Sequence, residues 1–447
     1  MFCKTVWNGL HILPDGYIRL CSIGQNSNRE LDMQRARDKD GNVMHILTHS
    51  IQEIMNSDKH REVRILNAND PNAWSPHCEC CENREIITNH DRNHVNKSRR
   101  IYLMDIDDND VVSETDFTEN KITEDGSIDW MPSSLDIRFG NLCNQKCVMC
   151  SPDFSNLWYD EHFDYFKTTS FGQGALIQVS KDEKTNKWIE PPELQWFEDP
   201  RWWTKFEEIM PHLKHIYITG GEPMVTPAHD TMLDMLIDSG YAKNVWIEYD
   251  TNASAINDKI VQRWSHFKKI EIRASLDAIG KQYELIRFGG KWEKFQNNIK
   301  RLKQLQTDSN GQVRLLAAST CFQIPTMYSI IETEEWCNNV GVGFHLRFLE
   351  GPERLSVASL SDESKQELID YYTLNRNKST KSGMIITHLQ NHMGKPYSNP
   401  TRVNEFLHFM NYLDGTRKTD WKATFPKVVD IIRRNEKVIS SFITPKS

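Results

Sequence analysis

The run Asn141-Leu-Cys143-Asn-Gln-Lys-Cys147-Val-Met-Cys150 constrains this chain more than any other stretch. Cys-x3-Cys-x2-Cys presents three thiols to a group that iron–sulfur chemistry normally holds with four. A cubane bound here leaves one iron for a distant residue or for a bound small molecule, and the second case means chemistry. Context supports a ligand site. Upstream, Ser134-Leu-Asp-Ile-Arg-Phe139 alternates apolar Leu135, Ile137 and Phe139 with polar neighbours and predicts a strand running into the cysteine loop. Downstream, His215-Ile-Tyr-Ile-Thr219 predicts a second strand, ending in Gly220-Gly221-Glu222-Pro223, whose glycines permit close backbone approach to a ligand. A solitary Cys-x2-Cys reads as zinc or redox chemistry and a solitary Gly-Gly as a turn. Two motifs at the ends of consecutive strands lie where α/β folds place their sites.

With both motifs in that order, the chain resembles the radical S-adenosylmethionine (SAM) superfamily, whose signature is this cysteine loop after the first barrel strand and a Gly-Gly-Glu-Pro turn after the second. The resemblance continues through Val245-Trp-Ile-Glu-Tyr-Asp-Thr251-Asn252 as a third strand and Lys269-Ile-Glu-Ile-Arg-Ala-Ser275-Leu-Asp277 as a fourth. Arg287 follows, ahead of an amphipathic stretch around Trp292, Phe295, Ile299 and Leu302 that predicts a helix. Val313 to Ala318 and Phe344 to Leu349 supply fifth and sixth strands. The fold this implies is α/β, a partial (β/α)6 TIM-type barrel.

The resemblance also implies roles. Cys143, Cys147 and Cys150 would hold a 4Fe-4S cluster whose fourth iron is chelated by SAM, cleaved reductively to methionine and a 5'-deoxyadenosyl radical. Gly220, Gly221, Glu222 and Pro223 would form the turn that receives the SAM ammonium. Asn252, at the end of the third strand, would be a further cofactor-binding residue; Ser275 and Asp277 would contact the ribose or adjacent groups, and Arg287 the carboxylate through a charge-assisted pair. Read on their own, Asn252, Ser275 and Asp277 also fit strand-end turns, and Arg287 a solvated helix charge. One departure is Met149, where many members carry an aromatic; a thioether still packs on an adenine face.

A second cysteine set opens the chain. Cys3, Gly16 and Cys21 fit Cys-x(9-15)-Gly-x4-Cys, the start of the auxiliary-cluster modules called SPASM and twitch. Leu10 to Leu20 predicts a hairpin turning at Pro14-Asp15-Gly16. Ser50 to Ser57 resembles the short helix of these modules, and Cys78 and Cys81 supply a Cys-x2-Cys pair. The further cysteines of a full SPASM module do not occur between Cys81 and Cys143, so the resemblance is to the smaller twitch type, with a second 4Fe-4S cluster on Cys3, Cys21, Cys78 and Cys81. Structural zinc on the same four residues stays open, as does Cys80 as a competing ligand. Cys321 and Cys337, outside both sets, read as buried inert thiols.

Ten cysteines in 447 residues, eight of them in two cluster-like sets, do not suggest a disulfide framework. A reducing cytoplasmic setting follows, with no apolar run long enough to span a bilayer. A net charge of -8 argues against a broad nucleic-acid footprint. The expected organisation is a twitch-like module at 1–105, an acidic linker at 106–132, the barrel at 133–355 and a helical C-terminal extension at 356–447, its helices closing the barrel's open side. Residues 151–214 carry Trp158, Trp188, Trp196, Trp202 and Trp203; these rings either cover the substrate or pack a local subcore.

Family members with SPASM or twitch modules mostly modify peptides or protein side chains, and some act on nucleotides. The implied partners are therefore a substrate peptide, protein or small molecule and an external one-electron donor such as flavodoxin or ferredoxin. The contrasting class is a non-catalytic iron–sulfur electron-transfer or binding protein on the same scaffold, which the intact core cysteines and glycine turn disfavour.

Overall fold

The computed structural model describes residues 5–21, 35–69, 75, 123–168, 179–395 and 400–437. Eight strands form its main sheet: β1 (Gly9–Ile12), β2 (Ile18–Arg19), β3 (Ser134–Ile137), β4 (His215–Ile218), β5 (Trp246–Thr251), β6 (Lys269–Ser275), β7 (Val313–Phe322) and β8 (Phe344–Phe348). The chain divides into two compact units. One comprises Met1–Leu142, Gln178–Tyr249 and Ile256–Glu271, the other Cys143–Ile177, Asp250–Ala255 and Ile272–Ser447, so the division runs through β5 and β6 themselves.

In the first unit the strand order is β2-β1-β3-β4-β5-β6. β3 pairs in parallel with β4, and β4 with β5, in registers that align Asp136 with Tyr217 and Tyr217 with Glu248. Parallel neighbours need long crossovers, supplied here by helices such as Pro227–Asp238 and Asp258–Trp264. Leu135, Ile137, Ile216, Ile218, Ile247 and Tyr249 are buried on one face. Strands covered on both sides usually read as continuous apolar runs; here the alternate positions are polar, because the second face carries a charged network. His11 Nδ1 and Asp136 Oδ2 stand 3.2 Å apart, and Arg138 pairs with Asp136 Oδ1 at 2.8 Å.

The predicted hairpin forms, with His11 opposite Arg19 and Ile12 opposite Ile18. Gly16 sits at φ +76°, and a Cβ there would overlap the His45 ring and Trp196, so only glycine fits this turn. β1 also pairs in parallel with β3 along its whole length, which continues the sheet into the N-terminal segment. The helix foreseen at 50–57 is Ile51–Met55, started by a Ser50/Glu53 capping box. The part of the aromatic insertion that lies in this unit packs a local subcore. Trp196 and Trp202 meet edge to face at 5.1 Å, Phe139 stacks on Trp196, and Trp196 Nε1 donates to the Pro14 carbonyl.

In the second unit the order is β6-β7-β8, with β7 and β8 parallel and His345 opposite Ser319 and Arg347 opposite Cys321. The amphipathic stretch forms helix Trp292–Asp308, burying Phe295, Ile299 and Leu302. The C-terminal region is helical, as Asp362–Leu374, Ser382–Asn391, Pro400–Arg417 and Pro426–Asn435. These helices bury Tyr372, Leu389, Phe406, Trp421 and Ile432 in one cluster with Phe322 and Leu346. Removing a ring as large as Trp421 from such a core costs about 3–5 kcal/mol.

Candidate active site

The glycine turn belongs to the first unit. After β4 the chain passes Gly220 at φ +125° and Gly221. A Cβ on Gly221 would overlap the Leu142 carbonyl oxygen, and the Glu222 amide donates to that same oxygen at 2.8 Å. The close approach that this glycine permits is therefore to the backbone leading into Cys143. Glu222 is buried, its carboxylate accepting from the Met224 amide as Pro223 starts a short 3-10 turn.

The cysteine loop belongs to the second unit. Cys147 is buried, while Cys143 and Cys150 are partly exposed. Asn144 anchors the loop to the turn after β5: its amide donates to Ser254 Oγ and its oxygen accepts from Asn252 Nδ2, each at 2.8 Å. The backbone there is held in an unusual state, Ala253 having φ +56°. Amides of Lys146 and Val148 donate to the carbonyls of Phe288 and Ile286, and Trp158 Nε1 donates to the Cys147 carbonyl at 3.1 Å. Behind the loop, Glu161 pairs with Lys146 and, at 2.7 Å, with Arg417, whose guanidinium lies over Trp158 and Phe288. The C-terminal helix ending in Arg417 thus holds the cysteine loop in place.

β6 ends at the half-buried Ser275, and the chain then turns through Asp277 at φ +65°. That left-handed conformation directs the Asp277 carboxylate to two partners. Oδ1 accepts from the Cys321 amide at 2.7 Å, and Oδ2 pairs with Arg287 at 2.8 Å. Arg287 in turn donates to the Cys147 sulfur at 3.7 Å. Burial opposes the Arg287 charge, but Asp277 and Cys147 outweigh it and raise its pKa. Burial also raises the Cys147 thiol, which Arg287 partly offsets.

Cys321 corrects the sequence reading. It is partly exposed rather than fully buried, opposite Arg347. The signal was the alternation in β7, where Ser319 and Cys321 interleave with buried Ala318, Thr320 and Phe322. Cys337 is fully buried, as foreseen. Of the auxiliary set only Cys21 is described, partly exposed just beyond β2; Cys3, Cys78, Cys80 and Cys81 lie outside the described residues.

The loop fits an iron–sulfur group by its donors. Cys147 and Cys143 lie close enough to Cys150 to help burial push its thiol up, so the three sulfurs face one another as corners of a cubane would require.

The radical SAM superfamily profile matches residues 137–316, from the end of β3 into β7. The profile of the SPASM iron–sulfur cluster-binding domain matches residues 3–82, a range containing Cys3, Cys21, Cys78 and Cys81. Residues 137–316 thus carry a radical SAM domain, which implies a 4Fe-4S cluster and SAM, and residues 3–82 an iron–sulfur cluster-binding domain. Among solved structures the chain is similar to anSMEcpe with bound AdoMet and Cp18Cys peptide, at 13% identity over 55% of this chain and 61% of that one, with a TM-score of 0.32. Streptococcus suis SuiB bound to precursor peptide SuiA gives 14% identity, 55% and 47% coverage and a TM-score of 0.32. TYW1 with a lysine-pyruvate adduct gives 16%, 55%, 74% and 0.30. The chain thus spans less than two thirds of the first two relatives. No curated protein matches it. Among the described residues no helix is long and apolar enough to cross a membrane.

Proposed function

We propose that this protein uses Cys143, Cys147 and Cys150 to hold a 4Fe-4S cluster at which SAM is cleaved, and that hydrogen is then abstracted from a peptide or protein side chain. The observation that carries the reading is the Cys147–Arg287–Asp277 chain, which ties the cysteine loop to the end of the fourth barrel strand. When bound, the cluster and SAM supply an electron and a 5'-deoxyadenosyl radical, so the hard step belongs to the cofactors. The protein's own residues bind and orient. Arg287 places a fixed positive charge beside the Cys147 sulfur and favours its thiolate form. Asn144, Asn252 and Ser254 fix the loop from one side, Glu161 and Arg417 from the other. Gly220, Gly221, Glu222 and Pro223 form the turn assigned to SAM's ammonium, with Ser275 beside the ribose.

Cys3, Cys21, Cys78 and Cys81 are assigned a second cluster that relays electrons or secures the N-terminal module, with 1–105, 106–132, 133–355 and 356–447 as the functional segments. An external donor such as flavodoxin or ferredoxin supplies the electron. The preference for a peptide or protein rests on the SPASM-type module, whose known bearers mostly modify such substrates. Anaerobic protein given SAM and a strong reductant should form 5'-deoxyadenosine. Wild-type protein with a full cluster that forms none would refute the reading.

A further inference from the structure

Just beyond β3, at Phe139 to Leu142, the first unit forms a pocket of about 440 Å³, and all the residues that line it belong to that unit. Small-ligand sites typically measure roughly 300–1,000 Å³. The walls are aromatic. Phe139 is buried, meets Phe197 edge to face at 5.7 Å and stacks on Trp203 at 6.3 Å. Phe197 comes from the 3-10 turns at Pro192–Glu198, and Trp203 from the helix Pro200–Ile209, which Asp199 caps. Both of these rings keep part of their surface open, and Leu142 is 38% exposed. Three apolar groups open to solvent around one hollow form a patch rather than scattered exposure, and such patches mark binding sites.

The charge of the pocket is one-sided. Glu190 and Glu198 line it, and among the described residues no Lys, Arg or His does. Glu190 accepts from Gln195 Nε2 at 3.2 Å, a neutral donor that leaves the carboxylate charge in place. Arg201, three positions after Glu198, is taken up by Asp199 instead, with its Nη2 2.7 Å from Oδ2. The helix Pro227–Asp238 begins at the pocket's edge, but a helix N-terminus is equivalent to roughly half a positive charge, against two full negative ones. The balance favours a cation.

We infer that this pocket binds a lysine or arginine side chain of the peptide substrate, the aliphatic stem lying against Phe197, Trp203 and Leu142 and the cationic head reaching Glu190 and Glu198. Long basic side chains have this division into an apolar stem and a charged tip, and aromatic faces attract the cation itself. An acidic side chain would meet like charge there, which costs affinity. Leu142 immediately precedes Cys143, so the occupant is seated beside the entry to the cysteine loop. The inference deepens the peptide reading above and rests on it.

The test is calorimetric titration of the cluster-loaded, SAM-bound protein with the N-acetyl amides of lysine, arginine, norleucine and glutamate. A basic probe should bind saturably below about 10 mM, and about tenfold more tightly than norleucine, which has the stem without the charge. The glutamate probe should not bind. E190Q and E198Q, both at solvent-accessible positions, should each weaken the basic probe by about threefold and together by about tenfold. Raising the salt to about 0.5 M should weaken binding to wild type but not to the double variant. Equal binding of the lysine and norleucine probes, tighter binding of glutamate, no saturable binding of either basic probe, or unchanged affinity in the double variant would overturn the inference. The two readings fail separately. Wild-type protein that forms no 5'-deoxyadenosine refutes the radical SAM reading whatever the probes do, whereas normal SAM cleavage without binding of a basic probe refutes only the occupant of the pocket.

Discussion

Arg287 reaches the Cys147 sulfur at 3.7 Å with one terminal nitrogen and Asp277 at 2.8 Å with the other. The carboxylate keeps the guanidinium aimed, and the guanidinium keeps a cation next to a sulfur that must ionise to bind iron. A residue that orients a metal ligand in this way typically contributes 10–100-fold to metal affinity or activity. R287Q should therefore lower cluster retention or 5'-deoxyadenosine formation by about 10–100-fold, with R287K intermediate because a point charge cannot serve both partners. Full cluster content and undiminished SAM cleavage in R287Q would remove the arginine from the site.

The cysteines themselves give a sharper outcome. Replacing Cys143, Cys147 and Cys150 together by Ala should abolish 5'-deoxyadenosine formation in anaerobic protein with SAM and dithionite. A triple variant that cleaves SAM like wild type would show that the radical forms elsewhere.

Gly221→Ala tests the turn. Its Cβ would overlap the Leu142 carbonyl, and relieving an overlap of this kind by backbone shifts costs about 1–3 kcal/mol. Because Leu142 precedes Cys143, SAM affinity and cluster content should fall together. Loss of SAM affinity with full cluster content would mean that the glycine serves the ligand directly and that the cysteine loop absorbs the clash.

The strands were legible because their buried face keeps a strict period of two, as in Leu135/Ile137 and Ile216/Ile218. The cysteine loop and glycine turn were legible because their spacing is local. What one sequence could not show is pairing across distance. Arg287 and Asp277 were assigned to a ligand, and nothing local reveals that they also meet each other and Cys147, 140 positions from Arg287. Arg417, near the end of the chain, holds Glu161 by an ion pair that no motif announces. Cys321 looked inert because it lies outside both cysteine sets, whereas in β7 it alternates with buried Thr320 and Phe322 and is itself partly exposed.

The His11–Asp136–Arg138 network gives a pH prediction. Burial opposes the Asp136 charge, but Arg138 and then His11 outweigh it, so its folded pKa lies well below the ordinary carboxylate value. A depressed folded pKa adds stability that is present above the unfolded value, about 4, and is lost as pH falls toward the folded one. Asp136→Asn should therefore lower the urea midpoint at pH 7 by the equivalent of about 3 kcal/mol, because Arg138 is left buried beside a neutral group. The gap from wild type should narrow below pH ~4. A gap that stays constant down to pH ~3 would show that the charge of Asp136 does not matter.

The N-terminal module gives the last test. Cys3, Cys21, Cys78 and Cys81 offer four thiolates, enough to complete a cubane without an open iron, and the cluster-binding profile covers all four. Wild-type protein should hold about eight irons, and the Cys143/Cys147/Cys150 triple variant about four. The cluster signal remaining in that variant should not respond to SAM, since no iron there is open to it. One equivalent of zinc in place of that iron would replace the second cluster with a structural metal. Cys81→Ala then separates ligand from bystander: SAM cleavage at the first cluster should persist while the second cluster is lost and substrate turnover falls. Unimpaired turnover with the second cluster absent would leave that cluster without a part in the reaction, whereas unimpaired turnover with it retained would assign the fourth thiolate to Cys80.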